Sequence, residues 1–126
     1  MLLLAEKTEI IIQCFYKVYN SLGYGFLEKV YENAMIIELR KNKLSCQQQK
    51  RVHVLYEGLE VGIYFADILV DNEVIIEIKA GKGTIIPQHE YQLMNYLKAT
   101  KYEVGLLFHF GEKPSFKRKV LTNNHK

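Results

Sequence analysis

The sequence predicts an α/β domain of the mixed α+β kind, a central mixed sheet flanked by helices in the order ααβββαββ. Three observations support that class. Apolar residues recur at spacings of three and four up to Asn42, the period changes to two after Ser45, and a further helical pattern lies between the third and fourth strands, where it permits a crossover and hence a parallel pair. A length of 126 residues, 48% hydrophobic and 25% charged, suits one domain that buries its own core, which excludes disordered and low-complexity classes. Residues 1–121 are assigned to that domain, and 122–126 are expected to fray.

The first helix is expected over Glu6 to Leu22, with Ile11, Phe15, Val18, Tyr19 and Leu22 on one face, Thr8 or a neighbour as its cap, and Gly23 closing it. A short Tyr24-Gly25-Phe26 loop leads to a second helix, Leu27 to Asn42, whose apolar positions are Leu27, Val30, Tyr31, Ala34, Ile37 and Leu39. Lys41 and Lys43 suit the negative end of its dipole. Glu28 stands in its first turn with Tyr31, Glu32 and Met35 three, four and seven residues on, so it borders the apolar stripe. Two readings stay open for it: a group that merely serves the helix dipole, or one aimed inward at a metal site.

After Ser45, Val52, Val54 and Tyr56 alternate with Arg51, His53 and Leu55 as a strand. Glu57-Gly58 turns it into a long strand from Leu59 to Val70, in which Gly62 marks a bulge. A second apolar run follows the polar Asp71-Asn72-Glu73 break, which announces an antiparallel pair. Asp67 interrupts the first run, and Glu77 and Lys79 the second. Register decides whether these charges meet, because side chains alternate faces and directly opposed residues share one. With a three-residue loop Val70 faces Val74, Ile68 faces Ile76 and Asp67 faces Glu77, whereas a two-residue turn would set Asp67 opposite Ile76. The apolar pattern favours the first register. It places Ala66, Ile68, Val70, Val74, Ile76 and Ile78 on one face, and Asp67, Glu77 and Lys79 with Leu69 and Ile75 on the other.

Two carboxylates a few ångströms apart repel by roughly 1 kcal/mol in water and roughly 4 at an effective dielectric of 20. A divalent cation offsets that cost, and Mg²⁺ takes one or two protein carboxylates together with waters and phosphate oxygens. The competing reading pairs each acid with a Lys or Arg on a solvated face. The Ile/Val-rich runs weaken it, since they suggest strands covered on both sides.

Gly81-Lys82-Gly83-Thr84 is a loop without the spacing of a phosphate-cradling P-loop. Pro87 starts a third helix running to about Ala99, with Leu93 and Leu97 toward the core and His89, Gln92 and Tyr96 adjacent at spacings of three and four. Tyr102 to Phe110 and Phe116 to Leu121 supply the last strands. Cys14 and Cys46 have no metal-ligand spacing and read as reduced thiols of a cytoplasmic protein. Met1-Leu2-Leu3-Leu4-Ala5, followed at once by Glu6 and Lys7, is too short for a signal peptide, and no apolar run reaches the roughly 20 residues of a membrane span.

A net charge of +3 and a pI near 8.8 permit a polyanionic partner without requiring one. Basic residues gather at Arg40, Lys41 and Lys43, at Lys50 and Arg51, and at Lys113 and Lys117 to Lys119. No aromatic platform or recognition-helix pattern is readable, so a nucleic acid would be recognised through its backbone or shape, with a homodimer as one arrangement.

Gly25-x-x-Glu28-x-x-Tyr31, then Phe65-Ala66-Asp67-Ile68-Leu69-Val70, then Glu77-Ile78-Lys79-Ala80, then Gln92-Leu93-x-Asn95-Tyr96-Leu97 follow one another in order. Together they closely resemble the GxxExxY protein family of the PD-(D/E)XK nuclease-like superfamily, which includes restriction endonucleases and Holliday-junction resolvases. The likeness runs from the first helix to the Phe108-x-Phe110-Gly111 strand end. It implies a restriction-endonuclease-like core and hydrolysis of phosphodiester bonds in nucleic acid, DNA ahead of RNA, with Mg²⁺ or Mn²⁺. It also implies a catalytic set of Lys79, Glu77, Asp67 and Glu28. Asp67 and Glu77 would bind the metal with Glu28 and the Ile78 carbonyl, Lys79 would orient or activate the attacking water, and Gln92 would lie near the metal or phosphate. Ala66 departs from the proline of the superfamily's name, a position that contributes no ligand. His89 divides evenly between substrate contact and an ordinary polar position, and Tyr31 is more often a core residue with a bonded hydroxyl than a catalytic one. A catalytically silent binding or assembly module on the same fold is the alternative, motivated by the short chain and the lack of a sequence-reading element. An enzyme acting on small molecules ranks last, because no apolar cofactor pocket is readable.

Overall fold

The computed structural model describes residues 3–126, so Met1 and Leu2 of the opening apolar run lie outside the described residues. The elements follow the expected order: α1 (Ala5–Leu22), α2 (Glu28–Lys41), β1 (Cys46–Tyr56), β2 (Leu59–Val70), β3 (Val74–Ala80), α3 (Pro87–Lys98), β4 (Val104–Phe110) and β5 (Pro114–Val120). The five strands lie side by side in chain order. β3 and β4 are parallel, with α3 as their crossover, and the other pairs are antiparallel. This is the α+β core with a mixed sheet that the periodicities indicate. Among the described residues no helix is long and apolar enough to cross a membrane.

Two layers cover the sheet. Ile11, Phe15 and Val18 of α1 and Tyr31, Met35 and Leu39 of α2 pack on Ile68, Val70, Val74, Ile76 and Ile78 and on alternate residues of β4. Leu93, Tyr96 and Leu97 of α3 pack on Leu69, Ile75 and Leu107 from the other side. Strand β4 is buried at every position, which explains its unbroken apolar character. The rings of Phe15 and Phe108 stack at 4.4 Å, and those of Tyr31 and Phe110 at 4.1 Å.

Several expectations need correction. Leu4, not Thr8, occupies the cap position of α1, and the Thr8 hydroxyl instead donates to the Ala5 carbonyl inside the first turn. On α2, Leu27, Val30 and Ile37 face solvent, because the helix presents the stripe Tyr31, Met35, Ile36 and Leu39 to the sheet. Ala66 packs on the α3 side, not with Ile68 and Val70. The pairing of β2 is interrupted next to it: the β1 register passes from Gln48 opposite Ile68 to Lys50 opposite Ala66, and the β3 ladder stops at Ile68. Alternation counted from Val70 therefore does not carry across Asp67. The expected bulge is present, as a register shift at Val54 and Leu55 beside Gly62. At the tail, Asn123–His125 form a 3-10 turn, the Asn123 amide donates to Glu103, and Lys126 Nζ donates to the carbonyls of Thr100 and Tyr102.

Gly105 of β4 lets α3 approach the sheet: a Cβ there would lie 2.6 Å from Leu93 Cδ1 and 3.0 Å from its Cγ. Leu93 is fully buried and has nowhere to move. Gly105→Ala should therefore destabilise the fold by about 1–3 kcal/mol, read as a lower urea midpoint at unchanged slope.

Candidate active site

The loop between β2 and β3 has the three residues that the odd register requires, with Val70 opposite Val74, Leu69 opposite Ile75 and Ile68 opposite Ile76. Asp71 and Asn72 adopt left-handed φ of 51° and 54°, which Asp and Asn tolerate better than other side chains, and the Glu73 amide closes the turn on the Val70 carbonyl at 2.9 Å. One residue beyond the last pair, the ladder gives way to side chains. The Ile78 amide donates to Asp67 Oδ2 at 2.7 Å, and the Asp67 amide to Glu77 Oε1 at 3.2 Å. From there β2 continues with β1 and β3 with β4, so the sheet forks. The two carboxylates stand in the fork.

Burial dominates the electrostatics. Glu77 is only 3% exposed, and burial, reinforced by the charge of Asp67, pushes its carboxyl up to about 9. Burial also raises Asp67, opposed by the hydrogen bonds from the Ile78 amide and Gln49. Among the described residues neither acid forms an ion pair with a Lys or Arg within 4.0 Å, and neither does Lys79. The ammonium of Lys79 nevertheless favours the anions of Glu77, Asp67 and Glu28. Glu28, at the first position of α2, is raised by burial and lies within the fields of Lys79, Asp67 and Glu32. It thus belongs electrically to the fork while its side chain stays exposed.

Among the described residues no group of three or more His, Cys, Asp and Glu side chains gathers around one point. The donors at hand are two hard carboxylates without a cationic partner and the Ile78 carbonyl on the same strand. That set suits a hard divalent cation that keeps most of its waters, as Mg²⁺ does.

Two polar residues join the site that sequence reasoning missed. Glu32, buried on α2, accepts from Lys29 Nζ at 2.9 Å, Gln48 Nε2 at 2.8 Å and Gln49 Nε2 at 3.0 Å. Gln49 also donates to Asp67 Oδ1 at 3.3 Å, from a backbone with φ of 53°, a strained choice for a residue other than glycine. The signal for Glu32 was its place one helical turn after Glu28. Gln49 gave none: the pairing of β1 with β2, which runs from Gln48–Ile68 to Lys50–Ala66, brings it to Asp67.

The remaining candidates have distinct places. Tyr31 is buried, donates to the Gly23 carbonyl at 2.6 Å and accepts from the Phe26 amide at 3.2 Å, so it ties down the loop that delivers Glu28. Gln92 Nε2 donates to the Tyr96 hydroxyl at 2.9 Å. Tyr96 is pushed up to about 12 by burial and by the charge of Glu77, which places α3 beside the fork. His89 is lowered by burial and then by the charges of Lys79 and His109. Beside the fork, between the β1–β2 hairpin and α3, runs a groove of about 770 Å³ lined in part by Tyr64, Tyr91 and Tyr96. The fold brings Tyr64 of β2 to Tyr91 and Tyr96 of α3, residues distant in sequence, to line this one groove.

A family model described as the PD-(D/E)XK nuclease superfamily matches residues 5–119. The crystal structure of SSO0001 has a similar fold, with a TM-score of 0.53 over 94% of this chain at 18% identity, and the chain spans 60% of that structure's length. No curated protein matches the chain.

The Glu77 carboxyl makes stability depend on pH. Its value in the fold, about 9, lies above the ordinary 4.5 of the unfolded chain, so the folded state holds the extra proton between those limits. The stabilisation is complete below about pH 4.5 and is lost as pH rises toward 9, at up to about 1.4 kcal/mol per unit. In a chelator, urea midpoints should fall across this range, and Glu77→Gln should flatten the fall. An equally steep fall in the variant would assign the dependence to other groups.

Proposed function

The chain belongs to the PD-(D/E)XK nuclease superfamily, and from that premise we propose that it is a divalent-metal-dependent nuclease that hydrolyses phosphodiester bonds in nucleic acid, DNA ahead of RNA. One observation carries the reading: Asp67 and Glu77 exchange hydrogen bonds with each other's strands at the fork, with Lys79 two residues further along β3. Asp67, Glu77 and the Ile78 carbonyl are the groups that would hold Mg²⁺ or Mn²⁺, and Glu28, which feels the charges of Lys79 and Asp67, would contact its waters. When bound, such an ion supplies positive charge to the phosphate oxygens and a more acidic water.

The chain's own residues divide the remaining work. Among the described residues the Lys79 ammonium has no carboxylate within 4.0 Å, and it would orient the attacking water or hold a phosphate oxygen. Gln49 braces Asp67 against Glu32, so the carboxylate keeps its orientation. A silent binding module would be expected to neutralise the fork internally, with Lys79 bridged across it; the unpaired Lys79 supports the catalytic reading. A reduced, cytoplasmic setting suits Cys14 and Cys46, which are both free.

The test is incubation of the purified protein with plasmid, single-stranded and branched DNA in Mg²⁺ and in Mn²⁺. Asp67→Asn and Glu77→Gln should each lower the cleavage rate by at least about 100-fold, and Lys79→Ala by about 100- to 10,000-fold. Cleavage that survives unchanged in Asp67→Asn and Glu77→Gln would remove the fork from the chemistry.

A further inference from the structure

The β1–β2 hairpin is much longer than the strands it joins to: β1 and β2 have 11 and 12 residues, β3 only 7. From Leu55 to Phe65 every side chain is exposed, on both faces of the ribbon. An isolated two-stranded ribbon is marginal in water, so a segment of this kind is held by what it lies against. One side of it, through Val54, Leu55 and Tyr64, forms a wall of the groove whose other wall is α3.

The lining of that groove has a specific chemistry. It holds three tyrosines, Tyr64, Tyr91 and Tyr96, of which Tyr64 and Tyr91 are 52% and 67% exposed. The Tyr64 ring rests against that of Tyr96, with centroids 5.9 Å apart. Three side-chain amides, Gln88, Gln92 and Asn95, share the lining; such amides carry donors and an acceptor, and one donor of Gln92 is given to the Tyr96 hydroxyl. Among the described residues no carboxylate lines the groove, and its permanent charge is the ammonium of Lys98. At about 770 Å³ the space lies within the size range of sites that enclose a small organic group.

The groove lies beside the fork, since its His89 feels the charge of Lys79 and its Tyr96 those of Glu77 and Asp67. Tyr96 packs in one cluster with Ala66, the residue before Asp67, and its hydroxyl is held by Gln92. Flat rings, amides and a cation, with no anion, match the parts of a nucleotide chain. Aromatic faces stack bases, amides meet base edges, and the ammonium meets phosphate. In a continuous duplex the base faces are occupied by their neighbours, and such rings have nothing to stack on.

We propose that this groove receives the unpaired bases of a single-stranded segment adjoining the phosphodiester bond at the fork, so that the substrate class is single-stranded or locally unpaired nucleic acid. This rests on the nuclease reading of the fork. The hairpin and α3 act as the two jaws of a base-binding cleft, with Tyr91 as the exposed platform.

Fluorescence anisotropy with the full chain in chelator, using labelled oligothymidylate, oligouridylate, an abasic strand and a duplex of the same length, tests the proposal. The base-bearing strands should bind more tightly than the abasic strand and the duplex. Tyr91→Ala should weaken their binding by about 5- to 150-fold, the range for one stacked base, while leaving duplex binding unchanged. Tyr91→Phe should restore it. Because Tyr91 is largely exposed, the variants should melt with the parent protein, and the readout is then binding alone. Duplex bound as tightly as single strand, or affinity indifferent to Tyr91→Ala, would overturn the groove's role. If plasmid cleavage still required Asp67 and Glu77 in that case, the nuclease reading would stand without it. The expected binding pattern with cleavage independent of those two acids would instead overturn the nuclease reading, and with it the claim that the groove serves cleavage. An anilinonaphthalene sulfonate dye that binds the parent but not Tyr91→Ala, and that oligothymidylate fails to displace, would assign the groove to an apolar ligand and overturn the proposal.

Discussion

The failure of the β2–β3 ladder to continue past Ile68 and Ile76 governs the rest of the molecule. A sheet that stops pairing in its interior leaves backbone amides without partners, and a buried unpaired amide costs about 1–3 kcal/mol. Here the amides of Ile78 and Asp67 turn to the carboxylates of Asp67 and Glu77. Each acid therefore has a structural duty at the fork, and in discharging it each is held close to a second negative charge. The same arrangement that completes the backbone's hydrogen bonding concentrates acidity in a low-dielectric cleft, and Glu77 meets this by keeping its proton to about 9.

Both layers of the domain converge on that fork. From one side α2 brings Glu28 and Glu32, its start fixed by the Tyr31 hydroxyl on the preceding loop and by the stack of Tyr31 on Phe110. From the other, α3 lies close on β4 because Gly105 has no side chain, and so Tyr96 and Gln92 reach the vicinity of Glu77. The parallel β3–β4 pair, which needs the α3 crossover, thus places a helix beside the acidic strand by topology alone.

The hairpin was legible in the sequence because its two apolar runs are strict enough for only one register to keep charges off the face that packs on α1 and α2. That argument fails one residue past the fork, at Ala66, where the strand has lost β3 and pairs with β1 alone. On α2 the apolar set was right for Tyr31, Ala34 and Leu39 but wrong for Leu27, Val30 and Ile37, since the helix buries Glu32 and Glu38 alongside Tyr31 and Met35. Hydrophobicity alone could not show this, because the buried acids are tolerable only with partners such as Gln48 and Gln49, which come from a distant strand. The tyrosine groove was illegible for the same reason. Tyr64 lies on a strand and Tyr91 on a helix, and only the crossover brings them to one cleft.

The central claim is that Asp67 and Glu77 form one divalent-cation site at the fork. Calorimetric titration of the protein with Mn²⁺ tests it apart from any cleavage assay. The account predicts saturable binding that is lost in both Asp67→Asn and Glu77→Gln and retained in Lys79→Ala, which removes no ligand. Undiminished binding in either carboxylate variant would contradict it.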